Sequence, residues 1–150
     1  MDVTIKERPE LRIAGIRHIG PYNQIGKEFG RLGGMFKGPP PAGSQMIALF
    51  HDDPAVTAPD QLRSDAALTL TPGAHAPDAL IEQRVPAGRY AVTVHKGSYE
   101  GLPATWEALK KEWLPKSGHR MGHPSYEVYL NNPMTTKPED LLTEIYLRLE

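Results

Sequence analysis

Residues 12–22 read RIAGIRHIGPY and residues 89–99 read RYAVTVHKGSY; Arg12/Arg89, Ala14/Ala91, His18/His95, Gly20/Gly97 and Tyr22/Tyr99 coincide. Ordinary amino-acid frequencies would give roughly one match in such a window. A second block repeats as well, residues 54–70 over residues 133–149. There Pro54/Pro133, Thr57/Thr136, Pro59/Pro138, Leu62/Leu141, Leu68/Leu147 and Leu70/Leu149 match. The offset is 77 in the first block and 79 in the second. The chain contains its own copy, and that constrains its fold more than any other feature.

Each copy can be read once and checked against the other. Residues 12–18 and 89–95 are short, β-rich and bounded by glycine, as strands are. Gly20 and Gly97 supply the turn, with Ser98 placed to cap the helix after it. Ile25, Phe29, Leu32 and Phe36 then recur at helical spacing, as do Leu102, Trp106, Leu109 and Trp113. This spacing predicts a helix of about three turns in each copy, the second stopped by Pro115. Second strands are expected at 45–50 and 125–130, closed by Asp52-Asp53-Pro54 and Asn131-Asn132-Pro133 turns. In the last strand Ile145, Leu147 and Leu149 alternate with polar neighbours, which predicts one buried face. The fold class is therefore α+β: tandem strand–helix–strand–strand repeats, about 3–71 and 79–150, forming a single domain over 1–150. They share one antiparallel sheet with both helices on one face. Residues 36–43 (FKGPPPAG) read as a stiff loop and 71–78 as the linker between copies.

Two related halves across one sheet create a pseudo-twofold axis, and a groove at such a junction is the default place for a ligand. Composition narrows what the groove serves. The chain has 150 residues, 17 Lys+Arg against 18 Asp+Glu, and no cysteine. Disulfide scaffolds, thiolate metal sites and thiol nucleophiles are excluded. Balanced charge argues against direct nucleic-acid binding, and the short apolar runs argue against a membrane span. With no secretory leader at the start, a cytoplasmic location is expected.

The two copies differ at the centre of the second strand, where the offset of 79 sets Glu127 against Ala48 and Tyr129 against Phe50. Val128 and Leu130 are expected to face the helices, with Glu127 and Tyr129 on the uncovered face. A mid-strand carboxylate ringed by aromatic side chains suits a lipophilic cation, because charge selects sign and rings supply area and cation–π attraction. The plainer alternative is a solvated strand face with Glu127 as an ordinary surface charge.

The set YEVYLNNP at 126–133, preceded by WLPKSG at 113–118, PAGRYAV at 86–92, His95-x-Gly97-x-Tyr99 and LTEIY at 142–146, resembles the GyrI-like small-molecule-binding domain. That resemblance implies a tandem strand–helix–strand–strand fold, used by effector-binding halves of AraC-type and MerR-type multidrug regulators and by free-standing gyrase inhibitors. It implies Glu127 as the cleft acid, with Tyr129, Trp113, Tyr22 and Phe50 lining the ligand site. The expected function is capture of hydrophobic, cationic small molecules by a binding protein, without cofactor. Two alternatives accompany it. One is hydrolysis of strained xenobiotics with Glu127 as the catalytic base, as reported for some free-standing members. The other is inhibition of DNA gyrase, or service to a transcription regulator, by protein contact.

Other constellations have structural readings. His119 and His123 have a metal-like spacing, but Gly118, Gly122 and Pro124 point to a loop, so no metal site is expected. His18 and His95 are expected to tie the strand–turn junctions, Asp52 and Asp53 to cap a turn, and Trp106 to sit in the core.

Overall fold

The structure, a computed structural model, describes residues 1–35 and 42–150. Phe36 and the Pro39-Pro40-Pro41 run fall outside the described residues. Along the chain lie β1 (Thr4–Arg8), β2 (Leu11–Ile19), α1 (Gly26–Gly34), β3 (Met46–Phe50), β4 (Arg63–Thr69), β5 (Ile81–Val85) and β6 (Gly88–Lys96). Then come α2 (Leu102–Ala108), a π-helical turn (Leu109–Trp113), α3 (Leu114–Ser117), β7 (Ser125–Tyr129) and β8 (Leu142–Arg148). The strand–helix–strand–strand order holds in both copies, and the fold is α+β. All eight strands form one antiparallel sheet in the order β1-β6-β8-β7-β3-β4-β2-β5.

Each copy also carries a leading strand that its sequence does not announce. These strands cross over: β1 of the first copy pairs with β6 of the second, and β5 of the second pairs with β2 of the first. Their sequences, TIKER and IEQRV, are charged and mostly exposed, so they show no apolar alternation.

Both helices pack on the same face of the sheet. Leu32 and Phe29 of α1 meet Ala14, Ile16 and Leu68. Leu102 of α2 and Leu109 of the following turn meet Ala91, Ile145 and Leu147. The opposite face carries a second core of Ile13, Ile47, Leu49, Tyr90, Val92, Tyr126, Val128 and Tyr146, contributed by strands across the whole sheet. No helix among the described residues covers it; the sheet curls so that these side chains bury one another. Tyr146 is accordingly as buried as Ile145 and Leu147 beside it, where alternation predicted one buried face. Full burial of a large apolar side chain contributes about 1.5–3 kcal/mol.

The second helix does not stop at Pro115. The π turn widens the backbone ahead of it, and Pro115 falls in the first turn of α3, where a missing N–H is tolerated. Gly118, at φ +78°, ends the segment in the left-handed conformation. No helix among the described residues is long and apolar enough to cross a membrane.

The pseudo-twofold axis can be placed to one residue. In the β3–β7 ladder Ala48 pairs with Glu127, and these two positions are also repeat mates. An axis relating the copies must pass between residues that are both mates and neighbours.

Candidate functional site

Glu127 lies on the helix-covered face, not the uncovered one. The register aligns Ile16, Ala66, Ala48, Glu127, Ile145 and Thr93 across six strands, and Ile16 and Ile145 belong to the helix-side cores. Val128 points into the opposite core. Alternation holds along β7, but both faces of this strand are buried, so alternation could not say which one the helices cover. Glu127 sits between the two helices and is 5% exposed. Its Oε1 accepts a hydrogen bond from Trp106 Nε1 at 2.6 Å, and its Oε2 accepts one from the Tyr129 hydroxyl at 2.7 Å.

Six partly buried rings flank this carboxyl in two related sets. Tyr22 packs on Phe50 (4.8 Å, 51°), and Phe50 meets Trp106 edge-on (5.9 Å, 86°). On the other side Tyr99 packs on Tyr129 (5.4 Å, 60°), and Tyr129 meets Phe29 edge-on (5.5 Å, 90°). The repeat offsets match Tyr22 to Tyr99, Phe50 to Tyr129 and Phe29 to Trp106. Each triplet therefore takes its turn and strand rings from one copy and its helix ring from the other. Edge-on rings at these separations add attraction beyond their buried area. Around the carboxyl and its rings the symmetry breaks in polarity: Glu127, Tyr129 and Trp106 stand where the first copy has Ala48, Phe50 and Phe29. These three side chains hydrogen-bond one another, so the polar differences form one unit.

Three acidic side chains are buried among the described residues: Glu28, Asp65 and Glu127. Glu28 Oε2 lies 2.7 Å from His18 Nδ1, and its Oε1 accepts from Arg31 at 3.1 Å. The His18 bond holds the Glu28 carboxyl below the usual carboxylate range, aided by Arg31. Asp65 accepts from Arg17 Nε at 2.8 Å and lies 2.5 Å from His51 Nε2. Burial pushes Asp65 upward, but the His51 and Arg17 bonds outweigh it and leave the carboxyl low. Glu127 differs. Its two partners are neutral donors, and burial pushes its carboxyl up by more than the Trp106 and Tyr129 bonds and the nearby His95 pull it down. Burial and the adjacent Glu127 likewise raise the Tyr129 and Tyr99 hydroxyls. Burial pushes Tyr22 up to about 12, and its hydroxyl donates to the Asp52 carbonyl at 2.7 Å.

Of the residues singled out by sequence, the structure gathers Glu127, Tyr129, Phe50 and Tyr22. Trp113 lies seven residues beyond Trp106; it packs with the Leu109 and Leu149 cluster and stacks on His119 at 6.4 Å. Trp106 belongs to the predicted apolar stripe, yet its indole N–H serves Glu127. The signal for it was present in the repeat, where Trp106 replaces Phe29 just as Tyr129 replaces Phe50. His18 and His95 tie their junctions: each Nε2 faces a turn carbonyl, of Pro21 at 3.0 Å and Ser98 at 2.9 Å. Asp52 accepts from the Arg63 backbone N–H and Asp53 from that of Ala55, as turn caps do. Among the described residues no group of three His, Asp or Glu side chains is placed to hold a metal ion. A surface cavity of about 530 Å³ lies at the β1–β6 edge, lined by Lys6, Thr93, His95, Lys96, Thr105 and Glu144 rather than by Glu127.

Known proteins show the same plan. A DNA gyrase inhibitor of Yersinia enterocolitica is 33% identical over 138 residues, covering 88% of each chain. The crystal structure of the EcmrR C-terminal domain superposes with a TM-score of 0.81 at 20% identity, covering 99% of this chain and 97% of that one. The structure of SAV2435 bound to tetraphenylphosphonium superposes with a TM-score of 0.68 at 13% identity, covering 100% and 94%. The model of the GyrI-like small-molecule-binding domain matches residues 1–150. Two copies sharing one sheet, and relatives that align over nearly their whole length, lead to one assignment: the chain belongs to the GyrI-like small-molecule-binding domain family.

Proposed function

We propose that this chain captures hydrophobic organic cations, with Glu127 as the counter-ion and the two aromatic triplets as the apolar surround. One observation carries the reading: among the described residues Glu127 is the buried carboxyl with no cation hydrogen-bonded to it, whereas Glu28 is bonded by Arg31 and Asp65 by Arg17. A buried carboxylate with only neutral donors is held several kcal/mol above its paired state, and a ligand cation among the rings would lower it. The half-buried rings supply area and cation–π attraction. That SAV2435 takes up a phosphonium cation on the same fold is consistent with this chemistry.

The test is a titration of the intact chain with tetraphenylphosphonium, followed by Trp fluorescence. Trp106 is in the site and should report directly. Saturable binding is expected, weakened about tenfold or more by Glu127→Gln, equivalent to about 1.4 kcal/mol. Equal binding by that variant would remove Glu127 from the site.

The name of the Yersinia relative supports a second reading, inhibition of DNA gyrase by protein contact. Unimpaired supercoiling at a large excess of this chain would dismiss it.

A further inference from the structure

We propose that the site exchanges a proton for its ligand: Glu127 waits as the neutral acid, and a permanently charged cation that binds beside it drives its proton out to water. This rests on the cationic reading of the site and adds what happens to Glu127 when no ligand is there.

The surroundings of the carboxyl support this element by element. From β3 the facing residue is Ala48, and from β8 it is Ile145. β7 itself contributes the Tyr129 hydroxyl and α2 the Trp106 indole. Helix α1 presents Phe29, while the Glu28 beside it is taken up by His18 and Arg31. The β6 end contributes Tyr99 and His95, and the His95 ring is held between Thr105 Oγ1 at 2.7 Å and the Ser98 carbonyl. Lys110, one turn beyond Trp106, is 3.9 Å from Asp53, which answers its charge. Among the described residues, the side chains that donate to Glu127, Trp106 and Tyr129, are both neutral.

A neutral acid fits the same contacts. Protonated at Oε2, Glu127 donates to the Tyr129 oxygen while Oε1 still accepts from the indole. Once ionised, both oxygens accept, with Tyr129 turning its proton inward. The hydroxyls of Tyr129 and Tyr99 keep their protons throughout, because burial and the Glu127 charge both push them upward. The balance is then one for one: carboxylic acid plus bound cation gives carboxylate–cation pair plus one proton in solvent. Exchange also sorts ligands. A phosphonium or quaternary ammonium ion must expel the proton, whereas a neutral amine can accept it from Glu127 and release none.

The experiment is calorimetry of tetraphenylphosphonium binding to the intact chain at one mildly acidic pH in phosphate and in Bis-Tris, which differ in ionisation enthalpy. Affinity is also measured from roughly pH 5 to 9. The heats should differ between buffers by an amount corresponding to close to one proton at the acid end. Affinity should rise about tenfold per pH unit there and then level off. Binding that needs Glu127 but is independent of buffer and pH would overturn the exchange and leave the cation site standing. Absence of any cation binding would overturn both. A ligand-free check uses carboxyl ¹³C NMR: a resonance missing in Glu127→Gln should titrate above the ordinary glutamate range. One that titrates at or below that range sinks the proposal whatever the ligand does.

Discussion

Glu127 and Glu28 are both buried, yet their environments push them in opposite directions, and stability should follow with opposite signs. A carboxyl raised in the fold keeps its proton there after the unfolded chain has lost it. The fold therefore loses stability as pH rises from about 4.3, the unfolded value, through the folded one. Glu127→Gln keeps the shape and can still accept from Trp106 through its amide oxygen. Its melting temperature should equal that of the parent near pH 4 and exceed it by several degrees at pH 8. Glu28 is held low by His18 and Arg31, so its contribution is present above the unfolded value and disappears as pH falls through the folded one. Glu28→Gln should therefore melt below the parent at pH 7, and the gap should close in acid. Parallel behaviour of the two variants in thermal scans would contradict this assignment. Tyr129→Phe, which copies Phe50 of the first repeat, removes a hydrogen bond that favours the ionised carboxyl. Cation affinity should fall about tenfold, and the acid limb of its pH profile should move upward.

At the scale of elements, close approach between strands separates the two copies. Gly15 of β2 pairs with Ala67 of β4, and a Cβ placed on it would lie 2.3 Å from the Ala66 carbonyl oxygen and 2.6 Å from the Ala67 Cβ. The repeat mate of Gly15 is Val92, a core residue, so the demand comes from local spacing of β2 and β4 and not from the fold plan. Gly15→Ala should destabilise by about 1–3 kcal/mol, as overpacking does, measured by urea unfolding. Alternation and helical spacing made the inner strands and both helices legible, because apolar periodicity is strong wherever an element has one covered side. They could not orient β7, whose faces are both covered, nor find β1 and β5, whose exposed, charged residues carry no period. In the site, Glu127 against Ala48 could be read from the repeat alone. The part of Trp106 could not be read from its stripe, since an indole buries apolar area and donates a hydrogen bond with the same side chain.

For the whole molecule, the crossed leading strands matter more than the linker that joins the copies. Cut within residues 71–78, the first copy would lose β5 from the edge of β2, and the second would lose β1 from β6. Each would also expose one side of the β3–β7 ladder and its half of the core on the curled face. A piece of about 75 residues buries only about three-fifths of its unfolded surface even when complete, and these halves would be missing an edge, a seam and a core wall together. Both aromatic triplets would be broken as well, since each draws its helix ring from the other copy. Fragments 1–76 and 77–150 produced separately should show no cooperative melting transition. Mixed in equal amounts, they should regain one, along with the Trp106 fluorescence response to a phosphonium cation. Independent folding of either fragment would show that the copies are separable units, and the site would then have to be rebuilt from one half alone.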